Sequence, residues 1–167
     1  MLEDDVLHLA QITIEQLISK QATIATAESC TGGLISGALT AVPGSSEAVF
    51  GGYVTYSNEA KIQMLGVPLH LLEDVGAVSK EVACAMAEGA QRISGATISV
   101  AVTGIAGPGG GTPEKPVGLV HFACADEDGS CHIVRNFKEM ERDEVREETV
   151  RVALTLVLAR LDQRHLP

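Results

Sequence analysis

Three stretches of the chain combine side chains and backbone in ways that chemistry uses. The first is Ala27-Glu28-Ser29-Cys30-Thr31-Gly32-Gly33, which follows the apolar run Thr23 to Ala27. A serine at a strand-to-helix turn of an open α/β sheet stands at the carboxyl edge, where such sheets bind ligands. The N–H groups of a helix start point outward there and favour negative charge. Ser29 can therefore act as a nucleophile, with donors for an oxyanion among Cys30, Thr31, Gly32 and Gly33. On spacing alone Ser29 or Thr31 can equally be a helix cap, with the glycines serving a tight turn.

The second stretch, Tyr53-Val54-Thr55-Tyr56-Ser57-Asn58-Glu59-Ala60-Lys61, is another strand-to-helix turn. Tyr56, Ser57 and Asn58 should project at the same sheet edge as Ser29. Lys61 falls in the first helical turn, where the dipole repels a cation. That repulsion, and any burial, lowers its pKa, and a neutral lysine can be a general base; an exposed surface lysine is the plainer alternative. The third stretch runs from Thr103 through Gly104, Gly107 and Gly109 to Lys115 and Pro116. Its glycines let backbone amides approach an anion. It lacks the Gly-Lys-Ser/Thr ending of a Walker loop and leads into a strand, so it is not a triphosphate cradle. It can also be a plain connecting loop. Lys115, Arg142 and Arg146 are cations that could meet an anionic ligand. The five histidines show no motif spacing, which makes a Ser-His-Asp arrangement the weaker idea. No cluster with metal-ligand spacing is present.

These stretches need elements to position them. Val6, Ala10, Ile14 and Leu17 share one face of a helix over residues 4–20. Strands are expected over 23–27 and 49–56, with a helix over 31–40 between them. Ser57 caps and Gly66 stops a helix over 58–65. Ser79 caps a longer helix with Val82, Met86, Ala90 and Ile93 inward. Residues 97–103 read as a strand covered on both faces. Residues 117–125 and 131–138 form a hairpin about Asp126-Glu127-Asp128-Gly129. A helix over 142–164 turns Val145, Thr149, Val152, Leu156 and Ala159 inward. The order α-β-α-β-α-α-β-β-β-α implies a single three-layer α/β/α sandwich over residues 1–167. Its sheet is mixed and mostly parallel, with about five strands and a C-terminal antiparallel hairpin.

Composition narrows the function classes. The net charge of −10 and an aromatic content of 3% leave neither a basic face nor stacking platforms for nucleic acid. The acidic start Met1-Leu2-Glu3-Asp4-Asp5 is unlike a secretory signal, and no apolar run can span a membrane. Cys30, Cys84, Cys124 and Cys131 show no C-x-x-C spacing; Cys124 and Cys131 can face each other across the hairpin, though a bridge is not expected in a cytoplasmic chain. Cytoplasmic residence is expected. The apolar content of 46% suggests self-association, for which a dimer is the simplest form.

Together these motifs resemble a known family. The segments around Ser29, Gly44-Ser45-Ser46, Val54 to Lys61, Gly76-Ala77-Val78-Ser79, Gly104-Ile105-Ala106-Gly107-Pro108 and Lys115-Pro116-Val117-Gly118 are similar to those of the CinA C-terminal domain family. The resemblance spans Val6 to Leu161. That family, the competence/damage-inducible proteins, includes stand-alone nicotinamide mononucleotide deamidases. The resemblance implies a three-layer α/β/α fold and hydrolysis of a nucleotide carboxamide, with neither metal nor cofactor. It puts the nucleophile on Ser29 and the base on Lys61, with Tyr56, Asn58 and Thr103 orienting the reacting groups. Gly44, Ser45, Ser46 and the Gly107 to Gly111 loop become candidates for the ribose phosphate, and Ser45 or Ser46 the rival nucleophile. Longer relatives carry an added N-terminal domain with pyrophosphatase-type activity, which these 167 residues are expected to lack. Two other readings stay open: a nucleotide-binding module without turnover, and an amidohydrolase for a related amide nucleotide.

Overall fold

A computed structural model describes residues 2–162. Its elements are α1 (Asp4–Ser19), β1 (Ile24–Glu28), α2 (Leu34–Thr40), β2 (Val49–Val54), α3 (Asn58–Leu65), α4 (Leu69–Val75), α5 (Lys80–Ser94), β3 (Ile98–Gly104), β4 (Leu119–Asp126), β5 (Gly129–Asn136) and α6 (Arg142–Leu161), with a short 3-10 turn over Ser45–Glu47. The expected continuation of α6 to Arg164 lies outside the described residues.

The sheet has five strands in the order β2-β1-β3-β4-β5. β1 pairs in parallel with β2 and β3, whereas the β3–β4 and β4–β5 pairings are antiparallel. Four strands thus point one way and β4 alone opposes them. Side chains alternate across the pleat. Ile24, Val100, Val102, Val120 and Phe122 meet α1, α2 and α6 on one face. Ala27, Ala101 and Ala123 meet α5 and the α3–α4 region on the other. The first face is built of large side chains and the second of alanines, so α5 sits close to the sheet. α5 also packs closely on the end of α3: a Cβ at Gly89 would come within 2.1 Å of the Leu65 carbonyl oxygen.

Several boundaries differ from the sequence reading. α2 begins at Leu34 and not at Thr31, because Gly32 (φ +60°) and Gly33 (φ +104°) hold a left-handed turn first. β4 starts at Leu119, after Gly118 at φ +93°. The α4 helix was not expected; seven residues between Pro68 and Gly76 give too little periodicity to read. Ile93, expected inward, is 50% exposed, and α6 buries Val150, Ala153, Leu154 and Val157, with Val152 and Ala159 only half-buried. Cys124 and Cys131 are cross-strand partners, as the hairpin implied, and both are free thiols.

Candidate active site

Ser29 follows directly on β1, and its N–H donates to the Val102 carbonyl of β3 at 3.1 Å. It is only 8% exposed. The residue before it fixes the turn. Glu28 is buried, and its carboxylate accepts from Thr31 Oγ1 (2.7 Å), Thr26 Oγ1 (3.2 Å), Ile35 N (2.8 Å) and Ser36 N (3.0 Å). The N-terminus of α2 is therefore occupied by the protein's own carboxylate. This corrects the expectation that its amides await an anion. Gly32 N donates to Ser29 O at 3.1 Å, and neither Gly32 nor Gly33 lines the cleft. Of the expected oxyanion group, only Cys30 reaches it; Thr31 is buried on Glu28.

From the far side of the turn, Arg146 of α6 donates to the carbonyls of Cys30 (3.2 Å) and Thr31 (3.0 Å). The Cys30 and Thr31 carbonyls are thereby pinned to α6, while that of Ser29 is held by Gly32 N. The Cys30 thiol is no rival nucleophile. Burial, with the Glu28 charge adding to it, pushes its pKa up to about 12, so it holds its proton.

Lys61 comes from the first turn of α3, whose N-cap Ser57 accepts from Ala60 N at 3.0 Å. Its side chain runs inward and is 1% exposed. Nζ lies 3.0 Å from Ser29 Oγ, 2.9 Å from the Thr55 carbonyl oxygen and 3.4 Å from that of Tyr56. Desolvation lowers its pKa to about 8. This environment tells the two protonation states apart. A neutral amine has two N–H bonds and one lone pair. The two carbonyls can only accept, so they take the N–H bonds and leave the lone pair for the Ser29 hydroxyl.

A cleft of about 270 Å³ opens over this pair. Tyr56, Asn58, Thr103, Gly104, Gly107, Gly109 and Arg142 line it as the sequence suggested, together with Ala77, Val78, Ile105 and Ala106, which it did not single out for the cleft. Thr103 Oγ1 donates to the Ala77 carbonyl at 2.8 Å and so holds one wall. Arg142 spans the mouth, donating to Gly107 O at 2.6 Å and Tyr56 Oη at 3.3 Å.

Two expected groups are elsewhere. Gly44, Ser45 and Ser46 precede β2, whose start pairs with the start of β1: Ile24 N donates to Ala48 O at 2.8 Å. A five-residue strand, about 17 Å at 3.3 Å per residue, separates them from Ser29 of the same chain. Neither serine can be the nucleophile of this cleft within one protomer. Lys115 turns away as well: its amine donates to the Val75 carbonyl at the end of α4, where a helix C-terminus favours a cation. Gly-Ser-Ser spacing and a lysine beside a glycine loop carry no information on direction, which explains both errors. The roles of Glu28 and Arg146 were also missed; the only signal was a carboxylate ending an otherwise apolar strand.

A buried Ser–Lys pair at the carboxyl edge of a three-layer α/β/α sheet defines the class of site. Residues 6–161 match the CinA C-terminal domain, and the chain belongs to that family. It is 51% identical over 154 residues to a CinA-like protein of Synechococcus sp. (strain RCC307), an alignment covering 92% of this chain and 37% of the relative. A CinA-like protein of Geobacter metallireducens is 52% identical over 139 residues, 83% of this chain and 33% of the relative. The chain thus spans about a third of the length of these curated relatives. Among solved structures, the competence/damage inducible protein CihA from Agrobacterium tumefaciens superposes with a TM-score of 0.94 at 48% identity, covering 97% of this chain and 98% of that one. A CinA superfamily protein from Escherichia coli gives 0.88 at 36% identity, covering 95% and 92%.

Proposed function

We propose that the cleft hydrolyses the carboxamide of nicotinamide mononucleotide to nicotinate mononucleotide and ammonia. The observation that carries this is the Lys61 amine, buried on two carbonyl acceptors and 3.0 Å from the Ser29 hydroxyl. Neutral Lys61 takes the Ser29 proton as Oγ attacks the amide carbon. The developing oxyanion is received by the Cys30 amide, the position after the nucleophile that serves this role in other serine hydrolases. The Lys61 ammonium returns its proton to the departing nitrogen, releasing ammonia and leaving an acyl ester on Ser29. Water, deprotonated by the same amine, then cleaves the ester and regenerates the hydroxyl.

The cleft is near the lower end of the size range for small-molecule sites. Arg142 at its mouth offers a planar fork suited to a phosphate. Such an enzyme would act on the cytoplasmic nucleotide pool in pyridine nucleotide recycling, and every step above uses groups of the protein. No helix among the described residues is long and apolar enough to cross a membrane.

The test is ammonia release from nicotinamide mononucleotide by the purified chain. Ser29→Ala and Lys61→Ala should each lose about three orders of magnitude or more in kcat while retaining the fold. Turnover within tenfold of wild type in either variant would refute the pair. Binding of the nucleotide with no ammonia release from the wild-type chain would favour the binding-module reading, and activity on other amide nucleotides alone would change the substrate.

A further inference from the structure

Arg142 and Arg146 lie one turn apart on α6 and end in different places. Arg142 reaches the mouth of the cleft, where it donates to Gly107 O and Tyr56 Oη. Arg146 does not line the cleft. Its Nε and Nη2 donate to the Cys30 and Thr31 carbonyls at 3.2 and 3.0 Å. Its acidic neighbour Asp143 is 3.7 Å away with a side chain 95% exposed, so solvent screens that pair and the carbonyls are the stronger contacts.

A neutral donor would satisfy those carbonyls. A cation also polarises the peptide groups it touches, and here the hydrogen bonds continue in a line. Thr31 O shares a peptide group with the N–H of Gly32, and Gly32 N donates to Ser29 O at 3.1 Å. Ser29 O shares a peptide group with the N–H of Cys30. Each bond draws electron density toward the guanidinium and makes the next N–H a stronger donor. The opposing charge of Glu28 is taken up by two amides of α2 and the hydroxyls of Thr26 and Thr31.

We propose that Arg146 is a positioning residue that holds the nucleophile turn and, through the Thr31–Gly32 and Ser29–Cys30 peptides, strengthens the Cys30 amide as a donor. This rests on the proposed deamidation, in which that amide receives the oxyanion. The guanidinium touches neither substrate nor reacting atoms; it acts through two peptide groups.

Arg146→Met keeps much of the side chain's bulk and removes its charge and donors. It should lower kcat about tenfold, less than the loss of a whole oxyanion donor, with KM and the folded state unchanged. Arg146→Lys, which keeps a charge, should recover part of the loss, and Asp143→Ala should leave kcat at the wild-type value. In labelled protein the Gly32 and Cys30 amide protons should move upfield in Arg146→Met. The Ser29 amide, bonded to Val102 O across the sheet, should keep its shift. A kcat within about twofold of wild type in Arg146→Met, an equal loss in Asp143→Ala, or a raised KM with kcat intact overturns the role. So does an unmoved Cys30 amide, or an equal displacement of all three amides, which would mean a loosened turn without polarisation. If Arg146→Met does not fold, the same comparison is made between Arg146→Lys and the wild type. The amide shifts are read without turnover: a wild-type chain that releases no ammonia refutes the deamidation, and the shifts still decide the role of Arg146.

Discussion

β1–turn–α2 and β2–turn–α3 are the same structural unit built twice, side by side, with opposite electrostatics. Each parallel strand ends at the same sheet edge and leads into a helix whose N-terminus carries partial positive charge. At α2 that charge meets a buried carboxylate, and Glu28 accepts from Ile35 N and Ser36 N. At α3 it meets a buried amine, with Lys61 drawn inward to the carbonyls of Thr55 and Tyr56. The first unit is arranged for rigidity and presents Ser29. The second holds a charge where neither solvent nor an anion supports it, and that mismatch lowers the pKa of Lys61. In the proposed reaction, one unit positions the nucleophile and the other activates it.

The largest effect should come from breaking the first unit. Glu28→Ala leaves the two amides and the Thr31 hydroxyl without their acceptor, at a cost of about 3–5 kcal/mol. Thermal unfolding should show a large drop in Tm, and a Tm within a few degrees of wild type would mean the carboxylate is dispensable. Next is the opposite response in the second unit. Charged Lys61 costs about 3 kcal/mol below pH 8, from the fall between 10.5 and about 8, so Lys61→Met should stabilise the protein by up to that amount, less the loss of the donor to the Thr55 and Tyr56 carbonyls. The sign follows from proton binding: between these values the unfolded lysine holds a proton that the folded one has released. Wild-type stability therefore rises with pH through this window, and the advantage of Met shrinks. Denaturant unfolding at pH 7 and pH 10 checks both magnitude and trend.

How far the sequence led can be judged from these same units. The Ser57 cap, the Gly66 stop and the apolar stripe Val6-Ala10-Ile14-Leu17 were legible, because they depend on local backbone chemistry and helical period. So was the meeting of Ser29 with Lys61, since two parallel strands must end at one edge. Glu28 was not legible as an anchor, because its donors come from the next helix and from the opposite side of the turn. Gly44-Ser45-Ser46 and Lys115 were misplaced because a turn motif does not say which end of the sheet it occupies. Ile93 continued the helical period of α5 beyond the point where the sheet covers it.

A smaller test addresses the cap that starts the second unit. Ser57→Ala removes the acceptor of Ala60 N and should cost about 1 kcal/mol. It should also lower kcat several-fold through the looser first turn that carries Lys61, a split that equilibrium unfolding and steady-state kinetics separate. An unchanged kcat would mean that the Thr55 and Tyr56 carbonyls alone hold the amine.

The most direct measurement is titration of the Lys61 amine itself, followed by its ¹⁵Nζ and ¹³Cε chemical shifts in labelled protein. Burial against two carbonyls predicts a midpoint near 8. A midpoint at the ordinary lysine value of about 10.5 would contradict the account, because at neutral pH only about three molecules in ten thousand would then hold the neutral amine, against about one in ten for a midpoint near 8.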